Sequence, residues 1–121
     1  MNPQQQAYQT REFLETSVRW TPRAPMFIDN AVGRIMTDGA NDYYDYRDGM
    51  MLFEKLDTAE RFRMLEEELL DAANYCYMLA AGDPDNPIFG RVADKISALW
   101  TELQYEAEND PRPAVTTKEE G

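Results

Sequence analysis

Two acidic side chains one helical turn apart, Glu68 and Asp71, are the residues of this sequence best placed to do chemistry. They sit in the run Glu66-Glu67-Glu68-Leu69-Leu70-Asp71, followed by Asn74 and Tyr75. Carboxylates three positions apart on a helix share a face and can converge on one ion. Their hard oxygen donors suit a divalent cation. Glu67 is a candidate third ligand, although the helix dipole and solvation also explain an acidic residue there. The sequence contains no histidine. That excludes His-based triads, imidazole zinc sites and the commonest general base near neutral pH. Chemistry must come from carboxylates, Lys, Tyr or a metal held by oxygen.

The helix that positions these residues is the strongest element in the chain. Asp57-Thr58-Ala59-Glu60 resembles a capping box, with the helix running from Thr58 to about Ala81. Phe62, Leu65, Leu69, Ala72, Cys76 and Leu79 recur at the spacing of a packed seam. At ~100° per residue, Glu68 falls at the edge of that seam and Asp71 beyond it. Their neighbours on that flank are Met64, Tyr75 and Met78, and the other flank carries Leu70, Ala73 and Tyr77. A helix apolar nearly all round is usually central to a bundle, so Glu68 and Asp71 are expected to be partly buried. Buried carboxylates require a cationic partner or a metal. An arginine such as Arg61, Arg63 or Arg91 would make Asp71 structural. Tyr75, Tyr77 and Trp100 are read as core or core edge, and Cys76 as a buried, inert thiol.

Gly82 and Pro84 end the long helix, and Asn86-Pro87 starts another. Phe89, Val92, Ala93, Ile96, Leu99, Trp100, Leu103 and Ala107 form its apolar face. The short link predicts an antiparallel αα-hairpin. Upstream, a helix is expected over residues 6–18 with Ala7, Phe13, Leu14 and Val18 inward. Residues 21–25 are expected to be extended, and Asp29 to cap a helix ending near Met36 at Asp38-Gly39. The Asp- and Tyr-rich run from Asn41 to Gly49 does not have the ligand order of an EF-hand. It reads as a surface loop with its rings on the core, followed by two helical turns over residues 50–56. The expected fold class is therefore all-α: a helical bundle with a long central helix and a C-terminal antiparallel αα-hairpin. Residues 1–109 read as a single helical domain, and 110–121 as a disordered acidic tail.

The chain has 121 residues and a formal net charge of −11. That sign repels phosphate backbones, so direct nucleic-acid backbone binding is not expected. Divalent cations, basic protein surfaces and mimicry of nucleic acid remain compatible with it. Residues 1–6 lack the basic-then-apolar pattern of a secretory signal, and no apolar run reaches bilayer length. With one cysteine and no possible intrachain disulfide, a reducing, cytoplasmic setting is expected. The small size favours homo-oligomerisation.

The segment from Glu66 to Tyr75 resembles the ExxD-bearing helix of the MazG-like all-α nucleotide pyrophosphohydrolases. The likeness spans roughly residues 63–78. It implies that Glu68 and Asp71 are Mg²⁺ ligands and that Asn74 and Tyr75 lie beside the substrate. The substrates implied are nucleoside triphosphates, cut between the α- and β-phosphates by a metal-activated water. The family's EExxE motif on a preceding helix is absent here. Glu12 and Glu15 are too distant, and Glu54, Asp57 and Glu60 do not match it. Two other readings compete. One is a non-enzymatic acidic interaction or inhibitor protein for a basic partner, in a possible nucleic-acid-mimic form. The other is a structural helical subunit whose apolar face, around Phe89 and Trp100, is covered by another chain.

Overall fold

The computed structural model describes residues 1–39 and 43–110. The class is all-α, as expected. Four α-helices dominate the described residues, with a single two-stranded ribbon. The chain divides into two compact units, Met1–Lys55 and Leu56–Gly121, each taken here by itself.

The first unit opens with α1, Pro3–Ser17. It starts earlier than its apolar pattern suggests, because Asn2 caps it. Asn2 Oδ1 accepts from Gln5 N at 2.8 Å, and Gln5 Oε1 accepts from Asn2 N at 2.8 Å. Both ends of the capping box are thus made, with Pro3 pre-set for the first turn. Helix α2 spans Ala24–Arg34. The expected Asp29 cap gives way to a helix that already starts at Ala24, with Pro25 in its first turn. Ala7, Ile28 and Val32 form the buried cluster between the two helices, with Leu14 and Ile35 packed on it. Phe13, expected inward, is exposed, since α2 covers only the stripe through Ala7 and Leu14.

A π-helical turn, Ile35–Gly39, extends α2. Asn41 and Asp42 lie outside the described residues. Tyr44–Asp45 (β1) then pairs antiparallel with Met50–Met51 (β2), in the register Tyr44 to Met51. Gly49 has φ of +64°, the left-handed conformation that lets the ribbon turn tightly. A 3₁₀ turn, Leu52–Lys55, follows. The helical turns expected over residues 50–56 are thus reduced to this one 3₁₀ turn, because the ribbon takes Met50 and Met51 first. The N-terminal ammonium pairs with Glu54 at 3.3 Å and ties the start of the chain to this turn.

The second unit is the antiparallel αα-hairpin predicted from the sequence. Helix α3 spans Thr58–Gly82 and α4 spans Ile88–Glu108. Asp57 Oδ1 accepts from Glu60 N at 2.8 Å and fixes the start of α3. At the link, Asn86 Oδ1 accepts from Ile88 N at 3.1 Å, which starts α4 just after Pro87. The two helices pack along their length. Apart from Asp110, the polar tail lies outside the described residues.

The Asp57 cap carries a direct prediction. Asp57→Ala is expected to lower stability by about 1 kcal/mol, read from urea unfolding followed by helical circular dichroism. An unchanged midpoint and slope would show that the cap is dispensable.

Candidate functional site

The α3 stripe facing α4 runs through Phe62, Leu69, Ala72, Ala73, Cys76 and Ala80, each buried or half-buried. Cys76 is the one residue of the two helices in the buried class, as a small apolar side chain on this seam should be. The seam is rotated from the one expected. Leu65 and Leu79 lie at its edge and are about half exposed. The reason is geometric: α4 covers only one stripe of α3, centred on Leu69 and Cys76. On α4 the matching stripe is Phe89, Ala93, Ile96, Trp100, Leu103 and Ala107, all half-buried. Val92 and Leu99, expected in that face, are exposed. The Trp100 indole N–H is buried with no acceptor, which places this ring in the core as the sequence suggested.

Glu68 and Asp71 lie on the flank of α3 that α4 leaves open. Both are exposed, as are Glu67 and Asn74, so the expected partial burial is corrected. Tyr75, expected at the core edge, is 64% exposed, and Tyr77 is 74% exposed. Neither Glu68 nor Asp71 makes a side-chain hydrogen bond or ion pair among the described residues. The arginine that would have made Asp71 structural is therefore not there. What surrounds the two carboxylates is apolar: Met64, Leu65, Tyr75, Met78 and Leu79 are exposed on the same flank. Helical periodicity and the antiparallel pairing bring Ile88, Val92 and Leu99 of α4 to this side of the hairpin too. The candidate site is therefore an open, largely apolar face with two unpaired carboxylates set in it.

The chemistry of the pair fits Mg²⁺ in one mode and not in another. Among the described residues no group of three or more Asp, Glu or Cys side chains could hold a metal ion. An all-protein cage is thus not present among the described residues. Two free carboxylate ligands do suit a Mg²⁺ that arrives with phosphate oxygens and keeps its waters.

The acidic, Tyr-rich stretch resolves as structural. Asp45 Oδ1 accepts from the backbone N–H groups of Arg47 at 2.8 Å and Asp48 at 3.2 Å, which closes the ribbon turn. The Lys55 ammonium donates to both Asp45 and Asp48. Sequence reasoning missed this bridge because Lys55 lies ten positions from Asp45 and meets it only once the ribbon forms. The Tyr rings do not all lie on the core. Tyr43 and Tyr46 are exposed, and Tyr46 meets Tyr44 edge-on at 4.7 Å. The first unit also holds a groove of about 320 Å³ beside Trp20, Pro25 and Ile28. The cation on its wall, Arg11, is taken by Asp29 at 2.8 Å and Glu15 at 3.8 Å.

Comparison with known proteins finds no matching family model, and no match among curated proteins or solved structures. No helix among the described residues is long and apolar enough to cross a membrane.

The Lys55 bridge sets an acid response. The Lys55 hydrogen bond, helped by the Asp48 and Arg47 N–H groups, holds the Asp45 carboxyl below its ordinary range. A depressed folded value stabilises fully above the unfolded value of about 3.9 and is lost as pH falls through the folded value. Asp45→Asn should therefore lose stability less steeply than the parent below pH ~4. Unfolding midpoints across an acidic pH series measure this, and parallel curves for the two proteins would remove Asp45 from the response.

Proposed function

We propose that this chain is a MazG-like helical protein that binds a Mg²⁺–nucleoside triphosphate through Glu68 and Asp71. One observation carries the reading. Two carboxylates one turn apart lie within an exposed apolar flank, where no ion pair among the described residues accounts for them. Both carboxylates are exposed, so they are solvated in the free chain and open to a cation brought from outside. Mg²⁺ bound there would clamp phosphate oxygens and acidify a coordinated water. Glu68 and Asp71 would hold the ion. Asn74 and Tyr75, exposed a turn further along, would meet the nucleoside in this reading. Hydrolysis between the α- and β-phosphates is the activity the resemblance implies. The reading places the protein in the cytoplasm, with its nucleotide pool.

A second reading draws on the same flank. Large exposed side chains around the carboxylates, on a chain of net charge −11, also suit a non-enzymatic acidic protein that docks on a basic partner. In that reading a Lys or Arg of the partner takes the place of the metal, and a nucleic-acid-binding protein is one such partner.

Calorimetry with Mg²⁺ and each common nucleoside triphosphate separates the two. The first reading expects binding that needs Mg²⁺ and is lost in Glu68→Gln and in Asp71→Asn, with the helical circular dichroism unchanged. Pyrophosphate release measured in parallel would make the protein an enzyme. Absence of any metal-dependent nucleotide binding by the parent chain would discard this reading in favour of the second.

A further inference from the structure

The first unit carries a groove that the proposed function does not use. It lies where α1 ends and α2 begins, and its volume is about 320 Å³. Its lining is mainly apolar, from Val18, Trp20, Pro25 and Ile28. Trp20 is 74% exposed, so most of its side chain is open to a ligand. An apolar lining with a few polar groups is the usual make-up of a small-molecule site. The volume is at the small end of the ~300–1,000 Å³ such sites span, which suits a ligand of about one ring.

The charged part of the lining is out of balance. One cation, Arg11, serves two carboxylates through a single nitrogen. Its Nη1 lies 2.8 Å from Asp29 Oδ1 and 3.8 Å from Glu15 Oε1. Neither acid has another cationic partner among the described residues. The Asp29 and Glu15 side chains are 65% and 59% exposed, so each keeps an oxygen open to a ligand. One negative charge is thus left over in the groove that Trp20 lines. Arg19 and Arg23, on the connecting segment, are exposed and do not line the groove. The end of α1 and the start of α2 both adjoin it, so their dipoles offset and the side chains decide its sign.

We propose that this groove binds a small organic monocation with an apolar body, an aryl- or alkyl-ammonium whose charge meets Glu15 and Asp29 and whose body lies against Trp20. Two attractions select that class. The face of an indole ring draws a cation electrostatically. The surplus carboxylate charge draws it again and is neutralised by a single positive charge. An organic anion would meet two acids whose shared cation is already engaged. A neutral ligand would gain the apolar contact and leave the surplus charge unanswered. The chain's net charge of −11 raises the local concentration of any cation, but only the groove adds an apolar wall to it. The site lies in the first unit and does not rest on the nucleotide reading of Glu68 and Asp71.

Calorimetric titration of the full chain with benzylammonium tests the proposal, with benzyl alcohol and benzoate as the neutral and anionic counterparts and circular dichroism as the control for folding. Saturable binding of benzylammonium is expected at about millimolar concentration, the scale for a ligand of this size. Benzyl alcohol should bind more weakly and benzoate not at all. The indole emission of the parent should shift to the blue as the ligand replaces water at Trp20. Trp20→Ala should weaken binding about tenfold, and Asp29→Asn about fivefold. Arg11→Gln should tighten it by a similar factor, because it removes the competing cation, whereas a purely structural role for Arg11 would weaken it. Should Arg11→Gln lose helicity, Glu15→Gln takes its place, with weakening expected. Absence of saturable benzylammonium binding overturns the proposal. So does benzoate binding as tightly, or affinity indifferent to both Trp20→Ala and Asp29→Asn.

Discussion

The second unit depends on one line of contact, the stripe of α3 that meets α4. Two helices can bury one stripe each and no more. Phe62, Leu69 and Cys76 of α3 settle against Phe89, Ile96 and Trp100 of α4 on the unit's single seam. Everything else about the unit follows from how narrow that seam is. Helix α3 is apolar over far more of its circumference than one neighbour can cover. The excess stays outside, where it gathers into a face.

That face gives the carboxylates their interest. Glu68 and Asp71 are exposed and solvated, but they lie among Met64, Leu65 and Tyr75, so any group that covers these apolar side chains must also answer two negative charges. On the proposed readings a metal with its phosphate or a basic partner would answer them, and both would use this open face.

The first unit follows a different economy. Its buried cluster is small, Ala7, Ile28 and Val32, and local polar bonds define its ends. Asn2 and Gln5 cap each other, the N-terminal ammonium meets Glu54, and Lys55 gathers Asp45 and Asp48. In the Asp- and Tyr-rich run, read in sequence as a surface loop, Asp45 and Asp48 are met by a lysine and Asp45 by turn N–H groups. Acidic residues close in sequence make a binding site only when no such partner reaches them.

The sequence by itself determined the class and the hairpin, because those rest on local signals. The 3.6-residue period, the Asp57 cap, Gly82 and Asn86-Pro87 each act within a few residues. The span of α3 and the antiparallel pairing were legible from them. Short elements were less so. The early start of α2 turned on Pro25, and the strands at Met50 and Met51 on pairing with Tyr44 and Asp45. The candidate site was legible as residues and not as an environment. Periodicity says which side chains share a side of a helix, but not how many neighbours the helix has. Only the tertiary structure decided that α4 covers one stripe, which leaves Leu65 and Leu79 at its edge and Glu68 and Asp71 outside. Burial is a property of what packs against a residue, and that is fixed by contacts far apart in the chain.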